Sequence, residues 1–279
     1  VDSAKVVNTQ LPDVIELRGI SQWYENEGRK TVVIEDLNLL IEDMPNRGQF
    51  ACLLGPSGCG KSTLLRYIAG LQKPSQGEVL LYGKPRKEED HVGMVFQQYS
   101  SFPWLTVLEN VSLALALQGV SKKERTERAM EFIKICDLEA HAHKYAQYPM
   151  LSGGQLQRVA IARSLVSNPN LLLMDEPFGA LDVNTRLRMQ DMLLGIWEKL
   201  WKVNSATTIL FVTHDIPEAV YLGTEIYIMQ ANPGTFVHHV AIDLPFDKTR
   251  KIKRDPRFVQ YVYSIEDTMM QLAPPAKKG

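Results

Sequence analysis

The stretch Gly55-Pro56-Ser57-Gly58-Cys59-Gly60-Lys61-Ser62-Thr63 leaves few folds open to this chain, because of what stands on either side of it. It is entered from the apolar run Phe50 to Leu54 and left through Leu64-Leu65-Arg66-Tyr67-Ile68-Ala69-Gly70. The spacing G-x-x-x-x-G-K-[ST] thus sits where it must, between a buried strand and the first turn of a helix. Glycines let successive backbone N–H groups converge on an anion, and the helix N-terminus adds its positive end. Lys61 would bring a point charge to β- and γ-phosphates, and Ser62 would place its hydroxyl on Mg²⁺. The plain alternative is a glycine-rich strand-to-helix turn with a chance Gly-Lys-Ser, and the strand and helix around it weigh against that.

Around this cradle the chain alternates. Short β-rich runs at Val14 to Leu17, Thr31 to Leu40 and Gly77 to Tyr82 are broken by turn chemistry such as Pro45-Asn46-Arg47-Gly48, and predict an antiparallel sheet beside the first parallel strand. Val92 to Phe96 reads as another buried strand, closed by Gln97-Gln98. From about Thr106 to Leu165 the pattern is helical, with Ser121-Lys122-Lys123-Glu124 as a capping box and Ala129, Phe132, Ile133 and Cys136 on one face. This segment reads as an inserted helical subdomain. Apolar runs at Leu171 to Met174, Thr208 to Val212 and Glu225 to Met229, with a helix from about Val183 to Trp201 among them, predict a parallel sheet covered on both faces. Beyond Ala231 come strands bounded by proline, a last helix from Pro256 to Leu272, and a tail from Ala273 expected to be disordered.

Composition narrows the setting. With a net charge of −1, the chain has no global basic field for nucleic acid or an anionic membrane. The three cysteines, Cys52, Cys59 and Cys136, suit free thiols in a reducing compartment, and none has zinc-type spacing. Apolar stretches fall short of a bilayer span and the N-terminal residues lack a signal-type segment, so neither membrane crossing nor export is expected. Cys59, inside the cradle, is expected to make activity sensitive to thiol reagents.

The candidate chemistry lies at strand ends. Asp175-Glu176 closes the run Leu171 to Met174, and buried carboxylates there need a cation or polar partners. Beside a phosphate cradle that cation is most simply Mg²⁺, held through Asp175, which leaves Glu176 to polarise a water against the γ-phosphate. His214 closes the next run and could donate to the γ-phosphate and orient Glu176. Gln97 could offer its carbonyl oxygen to the metal and its NH₂ to the attacking water. A second anion site is predicted at Leu151-Ser152-Gly153-Gly154-Gln155, where Ser152 is an N-cap and the glycines expose helix-start N–H groups. One nucleotide does not need both sites on one chain, so a head-to-tail pair is expected, each Ser152-Gly153-Gly154 closing over the partner's phosphates.

Gly55 to Thr63, Gln97, Leu151 to Gln155, Asp175-Glu176, Ala180-Leu181-Asp182 and His214, in this order, resemble the motif set of ABC-type ATPase subunits, over about Val14 to Met229. The resemblance implies an α/β fold: a P-loop NTPase (RecA-like) core with an N-terminal antiparallel β subdomain and an inserted helical subdomain. It implies one ATPase domain over residues 14–230, with the helical insertion at about 99–165, and a C-terminal extension over 231–279. ATP and Mg²⁺ are the implied cofactors. Gly55, Pro56, Ser57, Gly58, Cys59, Gly60, Lys61, Ser62 and Thr63 would bind phosphate, and Ser62, Gln97 and Asp175 would serve the metal. Glu176 would be the general base and His214 the γ-phosphate switch, while Gln97 would couple the metal to transport. Asp182 would cross the dimer interface, with Ser152, Gly153, Gly154 and Gln155 acting in trans. An adenine-stacking aromatic is expected near the first strand, where Tyr24 aligns best and Trp23 is its rival. Pro217 departs from the family, which often has an acidic residue there, but it fits a first helical turn.

The partners so implied are integral membrane permease subunits, a second ATPase subunit and, indirectly, an extracytoplasmic solute-binding protein, with no nucleic acid. The location is the cytoplasmic face of the membrane. The loop Tyr99 to Leu105 is aromatic enough to be a docking surface, although Phe102 and Trp104 could equally pack inside. That loop with Thr106-Val107-Leu108-Glu109-Asn110, together with Ala231 to Thr235, resembles importers of nitrate, sulfonate, taurine and bicarbonate. The alternatives are an exporter or lipid-transport motor and, more distantly, a nucleic-acid ATPase of the same fold.

Overall fold

A computed structural model describes residues 12–26, 28–43, 48–90, 92–98, 100–204, 207–245 and 248–272. The turn expected at Pro45 to Gly48 falls largely outside them, as do Tyr99 and the tail from Ala273. The first layer is an antiparallel sheet in which β1 (Ile15–Asn26) lies between β2 (Arg29–Ile41) and β4 (Gln76–Leu81), with the short β5 (Lys84–Pro85) at the edge beside β4.

The second sheet has the order β10 (Thr235–Ala241), β9 (Glu225–Gln230), β3 (Phe50–Leu54), β8 (Thr208–Thr213), β7 (Leu171–Asp175), β6 (Gly93–Val95). All neighbours pair in parallel except β10, which runs antiparallel to β9. Each central strand is a continuous apolar run because each feeds two cores. Phe50, Cys52 and Leu54 join Ile209, Phe211, Leu172 and Met174 on one face, under the helices. Ala51 and Leu53 join Leu210, Val212, Leu171 and Leu173 on the other, against the antiparallel sheet and the helix α1 (Lys61–Ala69). With a period of two, a strand that is apolar at every position must bury both faces.

The helical insertion comprises α2 (Val107–Leu117), α3 (Lys122–Ile135) and α4 (Gly153–Leu165), with a single tight turn at Glu139–His141. Its core includes Ala129, Phe132, Ile133 and Cys136, as the periodicity predicts. The capping box expected at Ser121 is only half formed: Ser121 Oγ accepts from the Glu124 amide, while the Glu124 carboxylate turns toward Arg128 at 3.9 Å. A complete box stands at Thr106, where Glu109 Oε2 accepts from the Thr106 amide. After β7 come α5 (Val183–Asn204), β8 and α6 (Ile216–Leu222), the last begun by an Asp215 cap with proline in its first turn. The chain closes on α7 (Pro256–Leu272), the helix read from sequence. Among the described residues no helix is long and apolar enough to cross a membrane.

Candidate active site

Register brings the chemistry together. Leu54, at the end of β3, pairs with Thr213; Val212 pairs with Asp175; Met174 pairs with Val95. The carboxyl ends of four adjacent parallel strands therefore open on one line, with the loop at Gly55, His214, Glu176 and Gln97 just beyond them, where α/β sheets hold ligands.

The loop from Gly55 to Gly60 turns through the left-handed region at Gly58 (φ 80°) and Gly60 (φ 105°). A Cβ on Gly55 would stand 2.7 Å from the Met229 carbonyl oxygen, so there it is close backbone approach that demands glycine. Lys61 is buried, and its ammonium donates to the carbonyls of Gly55 (2.8 Å) and Pro56 (2.9 Å), folded into the loop it serves. Cys59 is fully buried, its Sγ 3.8 Å from Lys61 Nζ, and burial pushes its thiol above the ordinary value. A buried, protonated thiol reacts poorly, so the sensitivity to thiol reagents expected from sequence does not follow from this geometry.

Ser62 Oγ donates to Asp175 Oδ1 at 2.8 Å. Asp175 is 7% exposed, and burial raises its carboxyl, reinforced by the Glu176 charge and opposed by the Ser62 hydrogen bond. A buried carboxylate facing a hydroxyl has the donor set and the charge deficit that a hard divalent cation fits.

Glu176 is held in the left-handed region (φ 42°), its amide donating to the Val212 carbonyl at 3.1 Å. A non-glycine residue there is strained, and such strain is retained where surroundings over-determine it. The turn delivers Oε2 to His214 Nδ1 at 3.1 Å and to the Gln97 amide nitrogen, which donates at 3.4 Å. His214 and the Gln97 NH₂ thus meet the same oxygen of the Glu176 carboxylate.

Sequence reasoning missed what holds this corner. Glu218 is buried and accepts from Thr213 Oγ1 at 2.6 Å and from Gln190 Nε2 at 2.9 Å, while Thr213 Oγ1 accepts from the Asp215 amide. Burial raises the Glu218 carboxyl, and both donors oppose this. The residues flanking His214 are thereby fixed from α5 and α6. A glutamate immediately before the apolar stretch Ala219-Val220-Tyr221-Leu222 was the available signal.

Ser152 stands apart from this line. It caps α4, accepting from the Gln155 amide at 3.3 Å while Gln155 Oε1 accepts from the Ser152 amide at 2.8 Å, a reciprocal box. Ser152, Gly154 and Gln155 line an open cavity of about 700 Å³ with Arg158, Thr185 and Arg188, and no residue of Gly55 to Thr63 shares its wall. Asp182 is at the surface, its Oδ1 accepting from the Thr185 amide at 3.1 Å, bonds that hold its carboxyl below the usual range. Tyr24 is 51% exposed, whereas the Trp23 ring is covered by Lys30 Nζ at 3.9 Å. In the loop from Ser100 to Leu105, Arg163 donates to Ser100 and lies 5.3 Å from the Phe102 ring, and Asn110 brackets the Phe102 backbone. Trp104, 5.4 Å from Phe102, is 68% exposed. The two aromatics thus divide, Phe102 half-buried and Trp104 outside.

A family model described as "ABC transporter" matches residues 41–179. The nitrate import ATP-binding protein NrtD of Synechocystis is 42% identical over 265 residues, covering 91% of this chain and 94% of that one. The aliphatic sulfonates import ATP-binding protein SsuB of Bacillus cereus is 41% identical over 85% of this chain and 89% of its own. Among solved structures, a dimeric post-hydrolysis state of the ATP-binding cassette MJ0796 bound to ADP and Pi superposes with a TM-score of 0.69 at 33% identity, covering 83% of this chain and all of that one.

Proposed function

The chain belongs to the ABC transporter family as an ATP-hydrolysing, ATP-binding subunit, and from that premise we propose that it drives import of a small anionic solute of the nitrate or sulfonate kind. In this reading two such subunits close head to tail against integral membrane permease subunits at the cytoplasmic face, with an extracytoplasmic binding protein delivering the solute. The observation that carries the solute class is that two import subunits named for oxyanions match at 41–42% identity across nearly their whole lengths.

The mechanism follows from the line of strand ends. Phosphates entering the loop would compete with the Gly55 and Pro56 carbonyls for the Lys61 ammonium, exchanging two dipoles for full negative charge. Ser62 and Asp175, with Gln97, would hold Mg²⁺ against the phosphates, where it supplies neutralisation of the charge that develops on their oxygens. Glu176 acts as general base toward the attacking water. Its Oε2 is aimed by His214 and Gln97, so the carboxylate pays little reorganisation when the water arrives. The backbone N–H groups at the start of α4, from a partner subunit, complete the shell around the γ-phosphate and exclude solvent. Tyr24 stacks on adenine, its face open while that of Trp23 is covered.

Trp104 belongs to the membrane-subunit contact. Its neighbour Phe102 lines an open cavity of about 490 Å³ with Ala114 and Leu117 among others, and Leu117 is also exposed. The test is a pull-down of the tagged chain from membranes, with ATPase assayed before and after reconstitution with what comes down. Membrane subunits that raise the rate, and an oxyanion-loaded binding protein that raises it further, support the reading; activity answering instead to DNA or RNA overturns it. Trp104→Ala should fold and bind ATP as the parent does yet lose the membrane subunits, whereas loss of stability alone would return Trp104 to the core.

A further inference from the structure

His141 lies in the tight turn Glu139–His141 of the helical insertion, well before Ser152 in the chain, and the fold returns it to the start of α4. Its Nε2 is 2.9 Å from Gln155 Nε2. The roles at this contact are fixed by the neighbouring one. Gln155 Oε1 takes the Ser152 amide at 2.8 Å, so the oxygen end of that amide is committed and its NH₂ must face His141. His141 Nε2 can then only accept. The ring then carries its proton on Nδ1, an atom that is buried and has no partner among the described residues. Leaving that N–H unpaired costs free energy, so this tautomer is held in place by its bond to Gln155.

We propose that His141 is a positioning residue for the anion-binding start of α4: it orients the Gln155 amide, which in turn fixes the Ser152 backbone and hydroxyl that close over a partner's phosphates. This rests on the reading that Ser152 acts in trans. The link needs a ring nitrogen that accepts from the Gln155 NH₂; an apolar side chain at position 141 leaves that NH₂ without its partner and loosens the capping box. Asp137, Glu139, Arg158 and Arg188 share the wall of the cavity that His141 lines, and Asp137 and Arg158 pair with each other at 2.8 Å. Through this one contact His141 sets the Ser152 motif, while the P-loop, elsewhere in the fold, keeps its own affinity for nucleotide.

The experiment uses the full chain carrying Glu176→Gln, with ATP-driven dimer formation read by light scattering and ATP affinity read separately on the monomer. If the parent variant forms no dimer with ATP, the trans reading fails, whatever His141 does. If it does, His141→Leu in that background should weaken dimer formation by about tenfold, the equivalent of one hydrogen bond of about 1.4 kcal/mol, with monomer ATP affinity unchanged. His141→Gln, whose carbonyl oxygen can accept from Gln155, should restore it. Equal dimer formation by the leucine and parent chains, or a glutamine chain no better than the leucine chain, overturns the proposal. If the leucine variant does not fold, His141→Ala in the same background takes its place, with the same loss and the same rescue by glutamine expected.

Discussion

At the scale of the residue, the site rests on one carboxylate oxygen. Glu176 Oε2 meets both His214 and Gln97, and the strained backbone at Glu176 is what puts it there. Glu176→Gln keeps the size and most of the hydrogen bonding of the side chain but removes its basicity. ATP affinity should stay within about twofold of the parent while turnover falls by about 10²–10⁴, measured as steady-state phosphate release beside nucleotide binding. An undiminished rate would remove Glu176 from the base role. Tyr24 makes a different kind of contribution. In the proposed reading its exposed ring would offer adenine a face, and base–aromatic stacking is worth about 1–3 kcal/mol. Tyr24→Ala should raise KM for ATP by about tenfold or more with kcat little changed, since stacking on a remote ring serves ground and transition states alike. If Trp23→Ala produces that shift and Tyr24→Ala does not, the assignment reverses.

At the scale of the element, two helix starts in the insertion make a paired comparison. At α2 the box is reciprocal, Thr106 and Glu109 each satisfying the other's amide, whereas at α3 only Ser121 does so. Thr106→Ala should cost about 1–2 kcal/mol and Ser121→Ala about 0.5–1 kcal/mol, read from urea midpoints. The same two starts show what a sequence conveys. Ser-x-x-Glu at Ser121 and Thr-x-x-Glu at Thr106 are equivalent as strings, and only Arg128, drawing Glu124 outward, separates them. The strands differ in legibility for a similar reason. β7 and β8 are apolar throughout because both faces are covered, and their limits were readable to within a residue. β1 and β2 extend over 12 and 13 residues, where alternation showed only pieces. Register shifts between Leu17 and Trp23 break the period of two, and Gly19 takes a positive φ among them. The site itself was legible wherever its residues cluster along the chain, from Gly55 to Thr63 and at Asp175-Glu176. His141, Gln190 and Glu218 were not, because each acts through a partner far off in sequence that only the packed fold supplies.

At the scale of the whole molecule, the two glycine-bearing helix starts, at Lys61 and at Gly153, lie in different parts of one chain. α1 packs against β4 and β7, while α4 packs against α2, α3, α5 and β6. A two-fold pair solves this if each chain lends its α4 start to the other's cradle, since an isologous arrangement then builds two identical sites from halves. The consequence is a complementation that neither a monomeric site nor a pair with separate complete sites can produce. Take Lys61→Ala, which spoils a cradle, and Ser152→Arg, which blocks an α4 start with bulk and leaves its own cradle intact. Each alone should be nearly inactive, because in each homodimer both composite sites carry a defect. In a mixture, about half the dimers pair one chain of each kind, and in these one composite site has both defects while the other has none. Activity should therefore rise to about a quarter of the wild-type rate per chain at equal mixing, if the sites fire independently. It should follow the product of the two chain fractions as their ratio is varied. If the sites are obligately coupled, the rise is smaller but keeps that product dependence. Mixtures no more active than the average of the two variants at every ratio would mean that Ser152 serves the nucleotide of its own chain, and the head-to-tail reading would have to be given up.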